Sequence, residues 1–140
     1  MSLWGLKKEN TDEMKIIDRD IGFIEDSFGM ICDMVAFEDH CDPSFVSTKD
    51  ENNLSDKNWM RNMRSRYLDR IAKNTKGNDW CRLKHLCRIA KGLQELSSRF
   101  LSVGDIESSK QCAEDWGETY LKFLNIAGYT KGETNTKSSA

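Results

Sequence analysis

The segment MKIIDRDIGFIEDSFGMICDMV, residues 14–35, carries the clearest structural pattern in the chain. Its apolar residues recur at alternating spacings of three and four, the heptad rhythm of a helix that buries one stripe. Thr11 precedes the segment, and its hydroxyl can cap the free amides of a first helical turn. We therefore expect a long first helix whose buried stripe comprises Met14, Ile17, Ile21, Ile24, Phe28, Ile31 and Val35.

A second apolar stripe follows the same helix, rotated by about 100° or more from the first. Either a neighbouring helix of the same chain covers this stripe, or it faces a second chain, and the pattern does not separate these cases. Methionine and aromatic side chains suit helix-in-groove recognition, because they adapt in shape or bury large areas. The residues predicted to form a partner interface are Ile16, Phe23, Met30, Met34 and Phe37.

Turn formers and capping residues divide the rest of the chain. The first helix should end at or before Pro43, with residues 42–56 as a loop, because proline disfavours helix in the residue before it. Capping side chains and stop glycines then predict three more helices. Their predicted limits are Ser55 to about Ala72, Asp79 to about Val103, and Asp105 to a stop at Gly128.

Each of these helices carries an apolar side. The fold class expected is therefore all-α, a single-domain antiparallel bundle of about four helices with a disordered C-terminal tail. The predicted organisation is an N-terminal extension (1–10), the helical bundle (11–128) and the tail (129–140), which has nothing to bury. The apolar sides are Trp59, Met60, Met63, Tyr67 and Ile71; Leu83, Leu86, Ile89, Ala90, Leu93, Leu96, Phe100 and Leu101; and Ile106, Ala113, Trp116, Tyr120, Leu121 and Leu124.

Composition limits the location and the class of protein. Charged residues make up 31% of the 140 residues, and no apolar run approaches the roughly 20 residues of a membrane-spanning helix. The five cysteines lack paired spacing, so free thiols are expected instead of a disulfide framework. With no secretory leader in the first residues, we expect a cytoplasmic protein that has no membrane partner.

Charge is strongly segregated along the chain. Residues 1–56 hold 5 basic and 14 acidic side chains, whereas residues 57–91 hold 11 basic and 2 acidic ones. The basic segment could bind nucleic acid or another polyanion, or the acidic first helix could neutralise it within one molecule. The polyanion-binding candidates are Lys57, Arg61, Arg64, Arg66, Arg70, Lys73, Lys84 and Arg88.

Two pairs of metal-ligating residue types form a further candidate site. Cys81 and His85 lie four apart, which places them on one helix face, and His40 with Cys41 could complete a four-ligand set for zinc or iron. Buried thiols and solvent-facing imidazoles are the alternative interpretation. Cys81 beside His85 also meets one requirement of a cysteine nucleophile. Otherwise no catalytic or nucleotide-binding motif is present.

These patterns favour a non-enzymatic protein without a cofactor. The first hypothesis is a helical binding or assembly module whose partner is itself or another protein. Nucleic-acid or polyanion binding through residues 57–91 is the alternative, and metal binding at Cys81 and His85 is the second alternative.

Overall fold

The computed structural model describes residues 12–72, 75 and 77–129, and in the first helix it describes side chains from residue 22 onward. Helices account for most of this part of the chain, and no strand occurs within it. The all-α prediction is confirmed. The helices are α1 (Asp12–Thr48), α2 (Asn52–Ile71), α3 (Asn78–Ser102) and α4 (Ile106–Ala127). None of them is long and apolar enough to cross a membrane.

Two helical hairpins build the bundle. Only residues 49–51 separate α1 from α2, and residues 103–105 separate α3 from α4, so each pair packs antiparallel. In the second hairpin, the Ser109 hydroxyl donates to the Ser97 carbonyl at 3.0 Å. The hairpins meet where α1 packs against α3, which agrees with the predicted bundle.

An aromatic cluster joins α1 to α4 in the core. The ring centroid of Phe28 lies 4.8 Å from that of Tyr120 and 4.7 Å from that of Phe123, while Trp116 stacks on Tyr120 at 5.7 Å. Such offset and edge contacts add to the free energy gained by burying the rings. The buried core comprises Ile24, Phe28, Ile31, Cys32, Val35, Leu68, Ile71, Ala72, Leu83, Cys87, Ala90, Tyr120, Phe123 and Leu124.

The predicted heptad stripe of α1 is confirmed wherever its side chains are described. Ile24, Phe28, Ile31 and Val35 are all buried. The side chains of Met14, Ile17 and Ile21 lie outside the described residues.

The end of α1 was predicted wrongly. The helix passes through Pro43 and continues to Thr48, so the predicted loop over 42–56 shrinks to three residues. Proline costs a helix one hydrogen bond and crowds the preceding turn. The turns after the proline contact α2, where Asn53 Nδ2 donates to Thr48 Oγ1 at 3.2 Å. Just before the proline, Lys57 Nζ of α2 lies 3.0 Å from Asp42 Oδ1.

The start of α2 also differs from the prediction. The helix begins at Asn52 and not at Ser55. The Asp50 carboxylate accepts a hydrogen bond from the Asn52 amide at 2.9 Å, and it satisfies one of the free donors of the first turn. The acceptor is therefore Asp50, one residue before the N-cap position Glu51, and not Ser55.

The apolar sides of the later helices need correction. The helix-packing side of α2 includes Arg64 and Leu68, which are buried, while Trp59 and Tyr67 are exposed. Cys87 is buried on α3, and Cys112 and Phe123 are buried on α4. Residues predicted to face the core but found exposed are Trp59, Tyr67, Ile89, Leu96, Leu101, Ile106, Ala113 and Leu121.

The ends of α4 follow the prediction closely. Asp105 caps the helix by accepting a hydrogen bond from the Ser108 amide at 3.0 Å. Gly128 ends it in the left-handed conformation, with φ of 99°, which glycine adopts without the strain that a Cβ would add. Tyr129, predicted to begin the tail, is half-buried against the core. The remainder of the predicted tail, 130–140, and the predicted extension, 1–10, lie outside the described residues.

Candidate binding surface on the first two helices

The four predicted metal ligands do not come together. Cys41 is buried and its Sγ donates to the carbonyl of Phe37 at 3.4 Å. His40 is exposed on α1, and Cys81 and His85 are exposed on α3. Within the described residues, no group of three or more histidine, cysteine or acidic side chains is arranged to hold a metal ion.

The buried thiols are placed for packing. Cys32 on α1 and Cys87 on α3 are 2% and 0% exposed. A hydrogen bond with Cys87, together with burial, raises the pKa of Cys32 well above the usual range for a thiol. Since the thiolate is the nucleophile and the metal ligand, Cys32 is held in the unreactive thiol form.

Much of the basic segment is paired with α1. Arg64 binds Glu38 through two hydrogen bonds, with Nε 2.6 Å from Oε2. Arg88 of α3 makes a two-point contact with Asp39. The Lys57 contact with Asp42, described above, is a third ion pair to α1. Part of the charge segregation in the sequence is therefore neutralised between helices of one molecule.

The other predicted polyanion-binding residues have different surroundings. Arg61, Arg66 and Arg70 are exposed on α2, and none of them forms an ion pair with another described residue. Lys84 is half-buried on α3. Lys73 lies outside the described residues.

A cleft lies between α1 and α3. Its lining includes His40, Arg88 and Lys91, a set that could attract an anion. However, Arg88 is held by Asp39, and Lys91 Nζ lies 2.7 Å from Asp33 Oδ1. The two cations are already neutralised, so the cleft offers little charge to an anionic ligand.

The predicted interface residues of α1 divide into exposed and buried ones. Phe23, Met30 and Phe37 are 61%, 39% and 40% exposed, and they recur every seven residues on one side of the helix. Met34 is only 7% exposed, so its assignment to the interface was wrong. It is rotated about 40° from Met30 on the helix, towards the side on which Glu38 contacts Arg64 of α2. The side chain of Ile16 lies outside the described residues.

Helix α2 extends this apolar surface with residues that the sequence interpretation assigned to the core. The Trp59 ring centroid lies 6.2 Å from that of Phe37 in an edge contact, yet Trp59 remains 54% exposed. Tyr67 is 37% exposed. We define the α1–α2 surface as Phe23, Met30, Phe37, Trp59 and Tyr67.

A groove between the two helices runs through this surface. Phe23 and Met30 of α1 form part of one wall, and Tyr67 and Ile71 of α2 form part of the other. Asp26 of α1 and Arg70 of α2 line the same groove. The groove is therefore apolar along its walls and carries one acidic and one basic side chain.

No family model, curated protein or solved structure matches the chain.

Proposed function

We propose that this protein is a non-enzymatic assembly module that binds a protein partner through the α1–α2 surface. The observation that carries the proposal is the seven-residue recurrence of exposed Phe23, Met30 and Phe37. This period is what a helix needs to present one side to another helix over several turns. From Phe23 to Phe37 the strip is about 21 Å long, at 1.5 Å per residue.

Helix α2 adds aromatic side chains beside this strip. Trp59 and Tyr67 flank the strip from α2, since Trp59 contacts Phe37 and Tyr67 shares a groove with Phe23 and Met30. Tryptophan and tyrosine are enriched among the residues that contribute most to protein interfaces. Contiguous apolar patches on a protein surface mark interaction sites, whereas single exposed apolar residues need no explanation.

Polyanion binding is the competing proposal, and it has a smaller basis in the described residues. Three of its candidate cations, Lys57, Arg64 and Arg88, pair with carboxylates of α1. The exposed cations Arg61, Arg66 and Arg70 would have to carry it. Salt-sensitive retention on a heparin column, lost in Arg66→Glu with Arg70→Glu, would favour this function instead.

Site-specific photo-crosslinking tests the proposed function. A benzoylphenylalanine replaces Phe23 or Phe37 in the native cell, and adducts are isolated and identified by mass spectrometry. Leu121 on α4 provides the control position, because its 40% exposure matches the 40% of Phe37. We expect one defined protein adduct from positions 23 and 37, absent from position 121.

A second variant links the adduct to the apolar contact. Met30→Asp should remove the adduct formed from position 37, while Leu121→Asp should leave it unchanged. Circular dichroism establishes that both variants keep their helices. The proposal fails if positions 23 and 37 yield no more adduct than position 121.

A further inference from the structure

The groove of the α1–α2 surface has a charge arrangement that restricts its occupant. Asp26 and Arg70 are both exposed and line the same groove. Neither forms an ion pair within 4 Å of another described residue, although other acidic and basic side chains of these helices do so. Any partner that covers the groove must therefore accommodate one negative and one positive charge.

Acidic, basic and mixed-charge partners fit the two charges of the groove unequally well. An acidic partner would place like charge against Asp26, and a basic partner would place like charge against Arg70, which is unfavourable at an interface. A surface that offers an arginine to Asp26 and a carboxylate to Arg70 satisfies both. A second copy of the same groove, turned by 180°, is such a surface, because in a twofold contact each residue meets its counterpart reciprocally.

The apolar residues fit the same symmetry. Since α1 and α2 are antiparallel, Phe37 lies level with Trp59, and Met30 lies level with Tyr67 in the groove. Rotation about an axis along the groove would bring Phe37 over the second copy's Trp59 and Met30 over the second copy's Tyr67. Apolar side chains would then meet apolar side chains over the part of the strip from Met30 to Phe37, with α1 lying over the α2 of the other copy.

We infer that the partner bound by the α1–α2 surface is a second copy of this chain, related by a twofold axis along the groove and joined by two reciprocal Asp26–Arg70 contacts. The inference rests on the proposed function, since it names the occupant of the same surface. The product is an antiparallel four-helix contact formed by α1 and α2 of each copy.

Charge reversal tests the reciprocity directly. In Asp26→Arg, both contacts of a homodimer would bring two arginines together, and in Arg70→Asp both would bring two carboxylates together. We expect each single variant to raise the dimer dissociation constant by about tenfold or more. An equimolar mixture of the two variants would form heterodimers in which both contacts are again between opposite charges. We expect the mixture to recover wild-type affinity.

Light scattering coupled to size exclusion gives the masses, and native mass spectrometry of one tagged and one untagged variant identifies the heterodimer. The wild-type chain should have twice the 16.1 kDa of one copy. Charge reversals on exposed residues of α4, Glu118→Arg and Lys122→Asp, serve as matched controls and should leave the dimer intact.

The outcomes separate this inference from the proposed function. A wild-type monomer up to about 100 µM, together with a crosslinked adduct to a different protein at position 23, overturns the second copy and supports the binding surface. A dimer that tolerates both single reversals places the interface outside the groove and overturns the inference. If the dissociation constant of the mixture stays as high as that of each single variant, the reciprocal twofold contact is overturned.

Discussion

The guanidinium of Arg64 is enclosed between α1, α2 and α3, and two hydrogen bonds hold it against Glu38. Its Nε and Nη2 lie 2.6 and 3.1 Å from the two carboxylate oxygens of Glu38, and the two side chains are 3% and 12% exposed. The Arg64 Cζ lies 5.8 Å from the centroid of the Trp80 ring. Nη1 is buried without a hydrogen-bond acceptor among the described residues, so the neighbouring ring supplies part of its stabilisation.

Breaking this pair should destabilise the fold strongly. Arg64→Ala leaves the Glu38 carboxylate largely buried without a counterion, and such losses cost about 3–5 kcal/mol. Arg64→Lys should also be destabilising, since lysine cannot make the two-point contact. Urea unfolding followed by circular dichroism measures the free energy of unfolding.

Two further variants show whether burial is the cause. The exposed ion pair between Lys57 and Asp42 is a matched control, and Lys57→Ala should cost about 1 kcal/mol or less. Replacing both members of the buried pair, as Arg64→Met with Glu38→Leu, should recover much of the loss because no unpaired charge remains. Equal losses for Arg64→Ala and Lys57→Ala would contradict this account.

Thiol reactivity should distinguish one cysteine from the other four. Cys81 is exposed on α3, whereas Cys32, Cys41, Cys87 and Cys112 are buried. In the native protein a thiol reagent such as dithionitrobenzoate should therefore react rapidly with one thiol per chain, and with all five after unfolding in urea.

Cys81→Ser provides the control for this measurement. It should abolish the rapid phase and leave the slow phase unchanged, because access to the buried thiols requires opening of the helix packing. Rapid reaction of a second thiol would contradict the burial of the other four cysteines.

The parts of the fold that depend on neighbouring residues in the sequence could be predicted. The spacing of Ile24, Phe28, Ile31 and Val35 depends only on helix geometry, and these side chains are buried as expected. The cap at Asp105 is equally local, since its acceptor and donor lie three residues apart.

Features that depend on distant residues could not be predicted. Arg64 lies in a basic segment and looks like a surface residue until Glu38, 26 residues earlier, is brought beside it. For the same reason the heptad pattern could not show which part of the second α1 stripe is covered. Met34 turns towards α2 and is buried, while Phe23 and Met30 remain exposed. The contribution of Trp59 and Tyr67 to the surface was missed because their spacing also suits a core.

Helix α4 should lose stability in acid through its cap. The hydrogen bonds from Ser108 hold the pKa of Asp105 below its ordinary value of 3.8. A lowered folded-state pKa means that the cap's contribution to stability is complete above pH 3.8 and is lost as the pH falls through the lower folded value.

Asparagine is an equally good cap that does not titrate, so Asp105→Asn should match the wild type at neutral pH. The melting temperature, followed by circular dichroism from about pH 5 to pH 2.5, should then fall less in Asp105→Asn than in the wild type. Asp105→Ala should melt lower than both at neutral pH, because its first-turn amides lose their acceptor. Identical acid profiles for the wild type and Asp105→Asn would show that the Asp105 carboxylate contributes nothing to the pH dependence.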